Sequence, residues 1–281
     1  MNTFKTFLLL FGMAVLLMVV GHLVGGQTGV IIALGIAIVL NFTSWYFSDK
    51  IVLTMYKAQE VDESSAPNLY RIVRDLAEQA EIPMPKVYIV PSSSPNAFAT
   101  GRDPKHAAVA ATQGILNLLS HDELKAVLAH ELAHVKNRDS LVMTVAATLA
   151  AAIGMLAYFA RWAAIFGMGD RRGGGGVIGL LVWAIIAPII AMIIQLAISR
   201  TREYGADRGS AEISEQPLML ASALRKISDF STTRPQQDLA NPATAHMWIA
   251  SPFSGGFLRS LFSTHPPVEE RIRRLEKMAG M

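Results

Sequence analysis

The sequence predicts a mainly α, polytopic membrane protein in which four transmembrane helices carry a polar, mostly helical domain with a small β-sheet. Three observations lead there. Of 281 residues, 52% are apolar and only 17% charged, against about a quarter charged in soluble domains; mean hydropathy is +0.35. Four apolar runs each approach or reach the roughly 20 residues that a helix needs to cross hydrocarbon. Around them lie two polar blocks in which apolar residues recur at helix or strand spacing.

The first apolar run is Phe7–Gly25, with His22 its only strongly polar side chain, and the second is Gly29–Phe47. Gly25, Gly26, Gln27 and Thr28 between them leave room only for a tight connection, so residues 1–47 read as a helical hairpin. A cleaved signal peptide is the rival reading of the first run. It fits poorly, because a second apolar run follows at once with no convincing A-x-A site before it. The third run, Leu141–Ala160, is closed by Arg161; the fourth, Val177–Ile198, is opened by Gly173–Gly176 and has Pro188 at its middle, where a membrane helix tolerates a kink. The alanine-rich third run also reads as a buried helix of a soluble core. The chain thus divides into a hairpin at 1–47, a polar block at 48–140, a second hairpin at 141–198 and a second polar block at 199–281.

In the first polar block, Leu69, Ile72, Val73 and Leu76 mark a helix over Pro67–Ala80, and Lys86–Val90 and Ala107–Thr112 read as short strands. In the second, Leu218–Ser228 and Val268–Met278 read as helices, with a Pro-, Gly- and Ser-rich loop at Thr232–Gly256.

One motif carries chemistry. Ala129-His130-Glu131-Leu132-Ala133-His134 contains H-E-x-x-H. On a helix, positions i and i+4 share a face, so both imidazoles reach one ion, and Glu131 lies about 100° round from His130, close enough to hold a water on the metal. Zinc acidifies such a water, the carboxylate takes its proton, and the oxygen attacks a carbonyl polarised by the metal. The segment has its own helix signals: Ser120 and Glu123 match a capping box, and Leu124, Val127, Leu128, Leu132 and Val135 form one apolar stripe. Glu131 points to the edge of that stripe, a costly place for a carboxylate that nothing binds. A chance match on an amphipathic helix is the bland alternative.

A zinc site needs a third protein ligand. The metzincin pattern is excluded, because Asn137 and Ser140 stand where it requires Gly and His. A Glu on a later helix is the other common solution. Glu203 and Asp207, four residues apart just after the fourth apolar run, suit it: Glu203 as ligand, Asp207 accepting an N–H from a ligand imidazole. Surface charges paired with Arg200, Arg202 or Arg208 are the alternative. Two spans between His134 and Glu203 return the chain to the same side of a bilayer, as one shared ion requires.

The sequence resembles the HtpX family of bacterial membrane metalloproteases, relatives of the CAAX-type prenyl-protein proteases. The likeness rests on the N-terminal hairpin, Asn96-Ala97-Phe98-Ala99-Thr100-Gly101, the His130–His134 motif with Asp139 after it, Ser199-Arg200-x-x-Glu203-x-x-Ala206-Asp207, and Thr264-His265-Pro266-Pro267 followed by Arg271-Ile272. It implies a gluzincin-like zinc-protease domain, one Zn2+ per chain held by His130, His134 and Glu203, and endoproteolysis with Glu131 as general base. It further implies an active site on the cytoplasmic side of the inner membrane, and a role in quality control of misfolded or unassembled membrane proteins under stress. Asn96, Ala97, Phe98 and Ala99 resemble the family's substrate-binding edge, where an extended peptide adds to an exposed strand; an ordinary loop is the plainer reading. His265 and Arg271 resemble the family's further contributors to the site, with His265 able to donate to a developing oxyanion; a His in a Pro-rich turn is the alternative.

Partners follow from the same features: protein substrates, the lipid bilayer, and quality-control partners within it. A net charge of +3, from 25 Lys and Arg against 22 Asp and Glu, and the lack of a basic stripe interleaved with aromatics give no reason to expect nucleic acid. With no cysteine, thiolate ligands are excluded. Lys5, Lys50, Lys57, Lys136, Arg138, Arg200 and Arg202 favour a cytoplasmic catalytic side, while Arg161, Arg171 and Arg172 in the opposite loop argue against it. A processing protease for one substrate, and a membrane scaffold or chaperone with a vestigial metal site, are the competing functions.

Overall fold

In the computed structural model the described residues are 2–146, 149, 200–233, 249 and 266–280. Helix α1 (Asn2–Tyr46) is helically bonded over 45 residues, yet it folds back on itself. Gly26 has φ +57, a left-handed conformation that glycine adopts without a Cβ penalty. The side-chain amide of Asn41 donates to the Leu10 carbonyl at 2.9 Å. A straight helix would hold those residues about 46 Å apart, so the expected hairpin is present. Leu9, Met13, Ala33 and Ala37 are buried, whereas Phe7, Phe11, Ile31, Val39 and Phe42 are exposed. Among the described residues, Gly26–Tyr46 is long and apolar enough to cross a membrane, and Thr6–Val19 is a shorter apolar helix. The third apolar run beyond residue 146 (residue 149 apart), the fourth run and the Arg161–Gly176 loop lie outside the described residues, so two of the four expected spans are not described.

After α1 come α2 (Ser48–Met55) and the strand β1 (Gln59–Val61). Pro67 opens α3 (Pro67–Gln79) at the position where a missing N–H costs nothing, and its Leu69, Ile72, Val73 and Leu76 are buried as their spacing predicts. Next are β2 (Lys86–Val90), β3 (Ala97–Gly101), β4 (Ala107–Thr112) and the short α4 (Gln113–Leu118). Helix α5 (His121–Lys136) follows, then a helical stretch at 139–146. The later helices are α6 (Arg200–Ser214), α7 (Pro217–Thr233) and α8 (Val268–Met278).

The sheet order is β1-β2-β4-β3. β2 and β4 are parallel, while β1 and β3 pair antiparallel on the two outer sides. Every residue of β4 is buried. Its Ala-Ala-Val-Ala-Ala run is short enough for elements to press on both faces. Val87, Ala97, Ala99 and Val109 join the main core with α3, α5, α6, α7 and α8. On the other face Phe98, Ala108 and Ala110 meet Val52, Leu53 and Tyr56 around α2. The sequence places α5 as an amphipathic helix; it is instead the central helix, buried from Ala126 to Val135 on every side.

Candidate metal centre

The local sequence of α5 sets the site. Ser120 caps the helix, and the full capping box forms: the Glu123 N–H donates to Ser120 Oγ, and the Ser120 N–H to Glu123 Oε2 at 2.8 Å. Glu123 also accepts from Ser222 Oγ and Lys226 Nζ at 2.7 Å each, which fastens α5 to α7. The helix ends at Asn137, and Arg138 turns the chain in the left-handed region at φ 58.

Helix α6 lies along α5 at a distance only small residues permit. A Cβ on Gly209 would sit 2.6 Å from Ala133 Cβ, Ala206 is fully buried, and Ser210 Oγ donates to the Ala126 carbonyl at 2.7 Å. This packing brings Glu203 against the two histidines. Glu203 Oε2 is 3.8 Å from His130 Nε2, and Oε1 is 3.5 Å from His134 Nε2. One donor atom from each of the three lies within 4.8 Å of the others, and all three residues are buried. Bonds of about 2.0–2.1 Å in a tetrahedron separate donor atoms by roughly 3.4 Å. The trio therefore fits a zinc-sized ion with a small contraction, and two imidazoles with one carboxylate are donors that zinc accepts.

Glu131 is buried beside them, and its Oε2 accepts the Ala99 N–H at 3.0 Å. Burial is the main influence on its carboxyl and pushes the pKa up, against the pull of His130 and His134. Burial opposes a charge on His134 as well, but Asp139, Glu203 and Glu131 outweigh it and hold the imidazole up at about 9. The same carboxylates that favour a proton there favour a bound cation.

Behind the histidines stand two buried carboxylates. Asp207 Oδ1 is 3.1 Å from His130 Nδ1. The distance is within hydrogen-bond reach of the ring nitrogen. Arg271 grips Asp207 with two nitrogens, Nε to Oδ2 at 2.9 Å and Nη2 to Oδ1 at 2.6 Å. Burial raises the Asp207 pKa, but Arg271 and His130 together outweigh it and hold the carboxyl down at about 2. Arg271 is itself buried, and its Nη1 lies 3.8 Å from Glu203 Oε2. On the other side, His134 Nδ1 bonds Asp139 Oδ2 at 3.3 Å, and Arg202 Nε stands 3.9 Å from Asp139 Oδ1.

The β3 strand borders the site. The Thr112 N–H donates to the Asn96 carbonyl, so by antiparallel alternation Phe98 and Thr100 turn their backbone groups to β4, and Ala97 and Ala99 turn theirs away. Hence the Ala99 N–H is free to reach Glu131. The Phe98 ring faces away from the site, 5.0 Å from that of Tyr56. Asn96 is buried, and its side-chain oxygen accepts the Ile249 N–H at 3.0 Å. Ala97, Phe98 and Ala99 are at most 4% exposed, so the strand expected to lie open is covered in this structure. His265 lies outside the described residues.

A model of the peptidase family M48 matches residues 63–279. The chain belongs to peptidase family M48. Its relatives include proteins named Protease HtpX homolog. That of Syntrophobacter fumaroxidans is 54% identical over 281 residues, covering 99% of both chains. That of Thermodesulfovibrio yellowstonii is 56% identical over 281 residues with the same coverage. That of Thermococcus kodakarensis is 56% identical over 266 residues, 94% of this chain and 91% of the relative. The crystal structure of S. mikatae Ste24p is similar at a TM-score of 0.47 and 19% identity, over 85% of this chain and 56% of that one. This M48 chain is a membrane-associated metalloprotease of the HtpX type.

Four features of the M48 site were not visible as such in the sequence. They are the Asp139 contact to His134, Arg202 beside it, the Ala99 N–H on Glu131, and the Gly209–Ala133 approach. A faint signal existed for two of them: Asp139 is five residues past His134, and Arg202 directly precedes Glu203.

Proposed function

We propose that this M48 chain is a zinc-dependent endopeptidase of the bacterial cytoplasmic membrane. It hydrolyses peptide bonds in misfolded or damaged membrane proteins as proteolytic quality control. It crosses the membrane several times and works on the cytoplasmic side. The observation that carries the reading is the convergence of His130, His134 and Glu203, with Glu131 buried against them.

His130, His134 and Glu203 would hold the ion. When bound, zinc supplies Lewis-acid polarisation of a carbonyl and lowers the pKa of water. The remaining work belongs to the chain. Glu131 accepts the proton of the attacking water on its carboxylate and later returns it to the leaving amine. The Ala99 N–H steadies that carboxylate at 3.0 Å. Asp207 holds His130 and is held in turn by the two-nitrogen grip of Arg271. His265 donates to the developing oxyanion. The substrate backbone, once the strand is uncovered, pairs with the outward N–H and C=O of Ala97 and the outward C=O of Ala99, whose N–H stays on Glu131, and this places the substrate carbonyl beside Glu131; Asn96 and Phe98 hold that strand in place.

The test uses purified full-length protein and an unfolded substrate such as casein. Cleavage should stop with a chelator and return when zinc is added back. Undiminished cleavage in the chelator, with metal removal checked by elemental analysis, would sink the zinc reading.

A further inference from the structure

The two ligand histidines are held from behind by arms of different construction. At His130 the arm is rigid: Asp207 lies 3.1 Å from Nδ1 and is gripped by two Arg271 nitrogens at 2.6 and 2.9 Å. At His134 the arginine stands farther from its carboxylate. Asp139 Oδ2 accepts the Nδ1–H at 3.3 Å, and its other oxygen faces Arg202 Nε at 3.9 Å, too long for a hydrogen bond. Arg202 is 8% exposed, and its Nη1 and Nη2 have no hydrogen-bond partner among the described residues.

We propose that Asp139 and Arg202 are positioning residues for His134, with Arg202 acting through Asp139 by its charge alone. The proposal rests on the metal reading above. The chain geometry explains how the arm forms. Arg138, in the left-handed region, turns the backbone at the end of α5 so that the next residue returns beneath His134. Asp139 is 2% exposed, so its carboxylate is costly unless neutralised. His134 and Arg202 are among the groups that face it. Helix α6 therefore contributes twice: Glu203 meets the histidines from the front, and Arg202 steadies one of them from behind. The Asp139 carboxylate keeps the imidazole proton on Nδ1 and leaves the Nε2 lone pair for the ion, the usual service of a carboxylate to a ligand histidine.

The difference between the arms predicts opposite responses to the same change. A guanidinium that grips with two nitrogens is not replaced by an ammonium, whereas a point charge is. Arg271→Lys should therefore weaken metal binding and Arg202→Lys should spare it. The experiment measures zinc affinity of the full-length protein in detergent by competition with a chromophoric chelator, beside the ligand-field spectrum of the cobalt-loaded protein. Asp139→Asn should weaken zinc binding by roughly 10–100-fold, the range for lost carboxylate support of a ligand histidine, and should shift the cobalt bands. Arg202→Met should weaken it by about tenfold, and Arg202→Lys should stay within about threefold of the parent protein. In the Asp139→Asn background Arg202→Met should add nothing, because its route to the metal is already gone. Should Asp139→Asn not fold, the Arg202 pair and Arg271→Lys still decide. Equal affinities for Arg202→Met and the parent overturn the proposal, as does an equal loss from Arg202→Lys and Arg202→Met. Full additivity of Arg202→Met with Asp139→Asn overturns the route through Asp139. If the unaltered protein itself binds no zinc, the metal reading fails instead, a result separate from these.

Discussion

Placing one methyl between α5 and α6 should dismantle the metal centre without touching a ligand. Gly209→Ala puts a Cβ 2.6 Å from Ala133 Cβ, where two methyl carbons need about 3.5–4.0 Å. Ala133 has no flexible end to swing aside, so the helices must part by about 1 Å, at a cost of about 1–3 kcal/mol in a packed core. Glu203 is six residues earlier on α6, about 9 Å along a rigid helix, and moves with it. Its Oε1 now lies 3.5 Å from His134 Nε2, already near the roughly 3.4 Å of a tetrahedral site. A further ångström takes it out of bonding range, so zinc affinity should fall by about tenfold or more. Thermal unfolding with and without zinc, together with chelator competition, reads both effects. The companion change Ala133→Gly removes the opposing methyl. In the double variant zinc affinity should recover, and stability should return close to the parent's, because the glycine gained inside α5 is offset by the one lost from inside α6. Parent-like affinity and stability in Gly209→Ala, or no recovery in the double variant, would refute the reasoning.

Other outcomes follow from the same geometry. Glu203→Ala should lose most bound zinc by elemental analysis, and a full complement would remove Glu203 from the ligand set. The Glu123 carboxyl is pushed up by burial but held down to about 2 by Lys226, the Ser120 N–H and Ser222. Its contribution is thus complete above the ordinary value of 4.5 and is lost as pH falls from there towards 2. With Lys226 45% exposed, about 2 kcal/mol is at stake. The stability gap between the parent and Glu123→Gln should therefore shrink over that window, and a gap unchanged by pH would discount the network. Since the chain has no cysteine, single cysteines can map its topology. Asn117 should resist an impermeant label in intact cells, and labelling there would reverse the proposed orientation.

Periodicity and capping made much of the fold legible. The Ser120 capping box and the spacings within Pro67–Ala80 and Val268–Met278 mark helices that exist at nearly those bounds, and β2 and β4 stand where they were expected. β1 was not legible because its three residues are mostly polar; it is held by pairing to β2 and by the Glu60–Lys86 ion pair. Residue pattern alone did not show β3, because Ala, Phe, Ala, Thr and Gly are buried on both faces and show no alternation; only the family resemblance marked an edge there. The α5 stripe was legible, yet the helix is buried all round, since α6 and α7 cover the sides that periodicity assigned to solvent. At the site, spacing along one helix joined His130 to His134, and the need for a third ligand pointed to a later Glu with an Asp four residues on. The Arg202 contact joins residues 63 apart across two apolar runs, and no local pattern records it.

The central claim is that Glu131 performs the proton transfer at a metal held by other residues. Its most direct test is the Glu131→Gln protein, measured at once for zinc content and for turnover of an unfolded peptide substrate. Gln fills nearly the same space and can still accept the Ala99 N–H, but it cannot take a proton from water at neutral pH. The account predicts one zinc per chain, an unchanged fold, and turnover lower by about 10²–10⁴-fold or more. Turnover near that of the parent protein, with zinc in place, would contradict it.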